Sequence, residues 1–508
     1  MASSAIERGR IAPAVHLAPT LILAAILAAG PACPADEPDP TPGDDDTPAD
    51  DDDDSTGDDD STGDDDSAGD DDTTPPVPAA VADVAWSVHP HVGTLIQVTW
   101  TQLEDADSAW VEYIFPASDW RSTPEQDGVS GEHEEVLLGI PADVAVSLRI
   151  VNRVGDEIRT GEDLAAATDP LPEGLPQPVA VGWNEDLSSD DPWFLVSLEN
   201  QQYDWYRGPW WLLVLDRLGR VVWHYRIPDD RCTMHARLAQ DGTHMLFEET
   251  TLYTGDEGAG SLLHRLTLDM ARNEEIAVPG LGSTFAETDD GLILFDDYTD
   301  YPETWLEELH PDGTRRRIWM CNEWSAPYGL NHWGCDPNET IWVRDTDTVL
   351  WSMWSSDAVL ELDRVTGDLI HQWGQQPESW TFDPADAGFD MQHYPHYTDA
   401  GTLLVSTHIP GEPLHRIREY ELDHANDTLR EIWSYGEGID RFPRYAGEAF
   451  HLDNGNVLVN YGTDADVREI TYDDGQVVWQ IYWEADYLIG HVSPIRDLDA
   501  IGRGAPSP

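Results

Sequence analysis

The chain reads as an all-β protein: a six-bladed β-propeller preceded by a small β-sandwich and a disordered acidic linker. Three observations predict this. From about residue 173 a strand–turn–strand unit closing on a large residue recurs six times. Trp223, Trp319, Trp373, Trp433 and Trp479 mark those units at spacings of 96 (one unit lacks its tryptophan), 54, 60 and 46 residues. No helical periodicity of useful length interrupts them. Paired strands at a period near 40–55 residues mean one four-stranded blade per unit.

At 508 residues the chain is long enough for two or three domains with substantial cores. Its net charge is −72, its pI is near 4.1, and it contains no lysine. Phosphates are repelled by such a surface, which excludes nucleic acid or an anionic membrane as the main partner.

Residues 1–33 read as an export signal. Arg8 and Arg10 give the positive start, and LAPTLILAAILAAG gives an apolar core too short for a comfortable membrane span. Cys33 follows Gly30-Pro31-Ala32, an imperfect lipoprotein box, so lipidation at Cys33 is expected, with ordinary cleavage near Ala32 as the alternative. Either route puts the protein outside the cytoplasm, in the periplasm or at the cell surface, where disulfides persist. With Cys33 lipidated, Cys232, Cys321 and Cys335 remain; Cys321 and Cys335 flank one loop and are the preferred pair, leaving Cys232 free.

Residues 34–79 are mostly Pro, Asp, Ser, Thr and Gly, with GDDDST-like repeats and about twenty carboxylates between Asp36 and Asp72. Nothing there can form a core, and like charges extend it, so it reads as a tether rather than a calcium site. Residues 80–172 alternate apolar and polar at Val84–Val88, Thr94–Thr101, Ala109–Phe115, Glu134–Leu138 and Ala145–Val151. Six or seven short strands in so few residues argue a β-sandwich. The order VTWTQ, WVEYIF, VLLGIPADVAVSLRIVN resembles a fibronectin type III module, with Trp100 early; a spacer or docking role is the expectation.

Residues 173–495 carry the repeats, and 496–508 form a tail. The closing halves read VLDRLGRVVWHYRI, LHRLTLDMARNEEIAV, LEELHPDGTRRRIWM, VLELDRVTGDLIHQWG, REYELDHANDTLREIWSYG and VREITYDDGQVVWQIYW. The opening halves are punctuated at Asp241-Gly242, Asp290-Gly291, Asn338, Gly401 and Asn454-Gly455. His235 stands seven residues before Gly242, His332 seven before Glu339, and His393 eight before Gly401. Innermost strands of a propeller line its axis. A lone blade histidine is ordinarily a hydrogen-bonder or a surface residue, but three at one phase predict a shared axial site. His396, His408 and His451 fall off that phase and read as structural.

Over residues 200–495 the chain resembles the bacterial arylsulfate sulfotransferase family of periplasmic six-bladed propellers. The resemblance rests on VVWHYRI with MHARL, NHWG with VLWSMWSSDAVLELDRVTGDLIHQWG, MQHYPHYTDAGTLLV and GEAFHLDNGNVLV. It implies that His393 is a nucleophile, sulfurylated in passing, and that His235 and His332 bind and protonate. One departure stands out. Where the family has an arginine in a segment like SMR, this chain reads Ser352-Met353-Trp354. Arginine is a planar fork for a tetrahedral oxyanion, which tryptophan is not, so Arg231 or Arg444 would have to substitute, or sulfate handling is weakened.

Sulfuryl transfer needs an in-line nucleophile, donors on the moving oxygens and an acid for the leaving group. Neutral imidazole is available at neutral pH because its pKa is about 6.5, and a phenol, of pKa about 10, leaves easily only when protonated. Histidines supply both roles, so no metal or other cofactor is expected; there is no Walker loop, Rossmann glycine motif or HExxH. The expected partners are an aryl sulfate donor and a phenolic acceptor, with a membrane reached only through a lipid anchor. Trp205, Trp210, Trp211, Trp324 and Trp333 are candidates for an aromatic mouth, with core packing as the alternative. Two other readings stay open: an inactive propeller acting as a ligand-binding surface lipoprotein, and, less favoured, a three-histidine zinc or copper site.

Overall fold

The computed structural model describes residues 77–201, 208–254, 256, 258–330, 334–409, 414–439, 441–484 and 486–503. The export signal, Cys33, the tether up to residue 76 and His332 lie outside them. The regular structure of the described residues is nearly all β, in eight sheets, and none of their helices is long and apolar enough to cross a membrane.

Two sheets form the N-terminal part. Val81–Val88, Ile96–Gln102 and Gly131–Leu137 make one; Ser108–Ile114 and Ala145–Val154, with three short strands, make the other. Alternation puts Ile96, Val98 and Trp100 from the first sheet against Val111, Tyr113, Leu148 and Ile150 from the second. Trp100 is buried, with its ring stacked on His133 at 5.1 Å.

The remaining six sheets have four or five strands, antiparallel except that Thr381–Asp383 runs parallel to Thr428–Tyr435, and a propeller-like plan. Buried apolar strands lie in the middle and more exposed ones toward the outer side, as in Leu403–His408 against Thr428–Tyr435. The six closing halves read from sequence are the third and fourth strands, counted from the inside. The tryptophans recurring there have a physical task. Trp223 Nε1 donates to the Leu268 carbonyl at 2.9 Å, Trp433 to Tyr472 at 2.8 Å and Trp479 to Arg217 at 2.7 Å, each across to the next sheet. These indoles stitch neighbouring sheets side to side.

Closure comes from the two ends of this region. Tyr487–Ile495 pairs with Trp193–Asn200 and becomes the innermost strand of the first sheet, while Val179–Trp183 joins the outer edge of the last, beside Val477–Tyr482. A buried Arg217–Glu469 ion pair at 2.5 Å bridges first and last sheets. The expected tail opens with a short helix, Leu498–Gly502, which is capped by Asp497 and packs Leu498 and Ile501 into the cluster that holds Leu138 and Trp223.

The sequence places a hairpin turn at Asn338, and the structure does not. Asn338 lies inside the strand Pro337–Val343, which pairs with Thr348–Met353, and the turn follows Val343. Counted back from the last pair before each turn (Leu238, Val343, Tyr397), His235 comes third and His393 fourth. Thr340 and Glu339 hold those places in the intervening strand. Glu339 thus holds in its strand the place that His393 holds in its own, and His332 lies outside the described residues.

Candidate functional site

Inner strands of several sheets are gripped from behind by polar residues of the second strands. Fully buried Glu248 accepts the amides of Met234 at 2.6 Å and His235 at 3.1 Å. Asp296 does the same for Thr284 at 2.9 Å, and burial pushes its carboxyl up to about 8. Ser197 donates to the Met234 carbonyl and accepts the His491 amide, both at 2.9 Å. Gly490 permits this approach: a Cβ there would meet the Met234 carbonyl oxygen at 2.4 Å.

These strands enclose a cavity of about 630 Å³, a size suited to an aromatic ligand. Its polar wall is His235, Asp336, Asn338, Glu339, His393 and Glu448, and its aromatic wall is Tyr253, Tyr298, Tyr301, Trp354, Tyr394 and Tyr445.

His393 sits between two irregularities in its strand, with register shifts on both sides. Met391 and Tyr394 both have φ of 47°, in the left-handed region that ordinary residues avoid. The strain is held by the fourth sheet. The Met391 amide donates to Asp357 at 2.8 Å, and Gln392 Nε2 donates to Ala358 O at 2.9 Å and to Ser352 Oγ at 3.0 Å. His393 Nδ1 lies 2.9 Å from the Met391 carbonyl. A carbonyl only accepts, so Nδ1 carries the hydrogen and Nε2 keeps its lone pair. Burial, with His408 adding to it, pushes the ring down to about 3, so it is neutral at ordinary pH.

His235 is the opposite case. Its Nε2 lies 3.5 Å from Glu339, and Arg237 pairs with the other oxygen of that carboxylate at 2.9 Å. Burial opposes the charged ring, but Glu339 and Glu248 outweigh it, and the imidazole is raised to about 10. Glu339 is also disfavoured as an anion by burial, yet Arg237 and His235 hold it down to about 2. The group is two cations on Glu339, with Glu248 behind His235, beside a neutral imidazole.

His235, His393 and Trp354 thus line one cavity; His332 is outside the described residues. Arg231 and Arg444 do not line it. Arg231 spends its guanidinium on the Gly260 carbonyl at 2.8 Å, the Glu249 carbonyl at 3.2 Å and the Glu249 carboxylate. Arg444 is exposed, over the ring of Tyr445. No described arginine is in the lining. The aromatic mouth is also not the expected one. Trp210, Trp211 and Trp324 are buried in the core, Trp205 and Trp333 lie outside the described residues, and tyrosines take their place. Cys321 and Cys335 are disulfide-bonded, with Cα atoms 5.7 Å apart, and Cys232 is free and buried. Among the described residues no cluster of ligands could hold a metal ion. His408 and His451 are engaged elsewhere, with the Pro443 carbonyl at 2.9 Å and with Glu419 at 3.1 Å.

Reasoning from sequence missed Glu339, Arg237, Glu248, Asp336 and Tyr298. A charged residue inside an apolar strand, as in Pro337–Val343, is the one signal that could have found Glu339.

No family model matches the chain, and no curated protein matches it. Among solved structures it is similar to a protein of unknown function from Bacteroides caccae, at 16% identity and TM-score 0.42, covering 60% of this chain and 100% of that one. A putative 6-phosphogluconolactonase from Bacteroides fragilis matches at 12% identity and TM-score 0.36, covering 76% and 98%. Hsv2p of Kluyveromyces lactis matches at 9% identity and TM-score 0.30, covering 69% and 93%.

Proposed function

We propose that the chain is an exported, lipid-anchored six-bladed propeller with a fibronectin III-like module, and that it transfers a sulfuryl group between phenols through His393. One observation carries this reading: the Met391 carbonyl takes the Nδ1 hydrogen of His393 and leaves Nε2 as a lone-pair nitrogen, in the same cavity as cationic His235.

In the first half-reaction Nε2 of His393 forms a bond to sulfur, and the sulfur–aryl oxygen bond breaks with its electron pair going to oxygen. That oxygen takes a proton from His235 and leaves as a phenol. In the second half an acceptor phenol returns a proton to His235, its oxygen attacks sulfur, and the nitrogen–sulfur bond breaks to restore His393. The His235 ring, at about 10, matches a phenol, of pKa about 10. Such a proton moves either way at little cost, as a ping-pong reaction between two phenols requires.

The test is incubation with an aryl sulfate and a phenol, reading sulfated acceptor. Transfer by wild type and its loss in His393→Asn are expected; no transfer, or undiminished transfer by the variant, sinks the reaction. A second reading, a propeller that binds aromatic ligands without turnover, is favoured by Trp354 in the wall and by the lack of a guanidinium among the described lining residues. Ligand binding with no turnover would select it.

A further inference from the structure

Three carboxylates face the cavity, and two are spoken for inside the protein. Glu339 is held by Arg237 and His235. Glu448 accepts Asn460 Nδ2 at 2.9 Å and the Val492 amide, and faces His491. Asp336 differs. Among the described residues its carboxylate takes one hydrogen bond, from the Tyr298 hydroxyl at 3.4 Å, and makes no ion pair. Burial raises it to about 6, which leaves it ionised at neutral pH.

The surroundings of Asp336 are aromatic. Trp354 donates its amide to the Asp336 carbonyl at 3.1 Å, and the Tyr298 and Tyr301 rings lie 6.4 Å apart on the same cavity. An anion among π-faces, with no cation paired to it among the described residues, is what a ligand ammonium is recognised by. At the other pole stand cationic His235 and Arg237, paired with Glu339, with Glu248 3.8 Å from His235 Nδ1. The net charge of −72 repels a plain anionic sulfate ester, whereas an ammonium on the same molecule cancels that repulsion.

We propose that Asp336, with Tyr298, Tyr301 and Trp354, forms a subsite for an ammonium group carried on an aromatic body, so that the substrates are phenolic amines and their zwitterionic sulfate esters. The ammonium lies at Asp336 and the ester at His235 and His393. The ammonium site stands on the cavity alone; the ester half rests on the sulfuryl-transfer reading.

The experiment is calorimetric titration of the full chain with phenethylamine, neutral phenethyl alcohol and anionic 3-phenylpropanoate. The amine should bind about tenfold more tightly than the alcohol, and the acid most weakly. Asp336→Asn should remove the preference and leave the alcohol unchanged; Tyr298→Phe should weaken the amine alone. Equal binding of amine and alcohol by wild type overturns the subsite whether or not a variant folds, as does a preference that survives Asp336→Asn. Asp336-dependent amine binding without any sulfuryl transfer keeps the subsite and removes the reaction. Transfer to neutral phenols with no amine preference does the reverse.

Discussion

Glu339 Oε2 lies 3.5 Å from Nε2 of His235, and this contact keeps a buried imidazole charged. The folded ring, at about 10, sits above its ordinary value of about 6.5. Its contribution to stability is therefore complete below about pH 6.5 and disappears as pH rises through about 10. Wild type should exceed His235→Gln by about 1.5–3 kcal/mol at low pH, with the gap closing toward pH 10. Denaturant melts across that range measure it, and a gap that widens with pH contradicts the pairing.

Arg237 is the other cation on that carboxylate, and both side chains are buried. Arg237→Ala leaves Glu339 with His235 alone. Removing one partner of a buried pair costs about 3–5 kcal/mol, readable as a lower denaturation midpoint in urea.

His393 should appear in nitrogen-15 spectra as a neutral ring protonated on Nδ1, unchanged between about pH 5 and 8. The Met391 carbonyl fixes the tautomer, and burial holds the ring at about 3. A titration midpoint near the ordinary histidine value would contradict this geometry.

Cys321 and Cys335 close a loop of sequence separation 14 that leads directly into Asp336. Replacing both by serine should cost about 3 kcal/mol from freed chain entropy, and amine binding at Asp336 should weaken with it. Thermal melting and the titration described above check the two effects.

Gly490→Ala should be poorly tolerated although the side chain is small. The added carbon would press on the Met234 carbonyl oxygen and on Ser197 Oγ at 2.7 Å. Overpacking of this kind costs about 1–3 kcal/mol, and chemical denaturation of the variant measures it.

The sequence by itself determined the paired strands. Alternating apolar residues, turn glycines and the outer-strand tryptophans are local signals, and each reports a hairpin whose two halves lie close in the chain. His235 and His393 were legible for the same reason, since a turn soon follows each. Asn338 resembled another such turn because it follows Gly334, Cys335 and Pro337. Only cross-strand pairing with Thr348–Met353 showed it to be inside a strand, which put Glu339 at the place His393 holds in its own. The tertiary structure also decided that Tyr487–Ile495 completes the sheet begun by Trp193–Asn200. Partners so far apart leave no local periodicity to read. The charge of His235 depends on Glu339 from another sheet, and the tautomer of His393 on a Met391 conformation braced by Asp357 of the neighbouring sheet; such neighbours come together only in the folded chain.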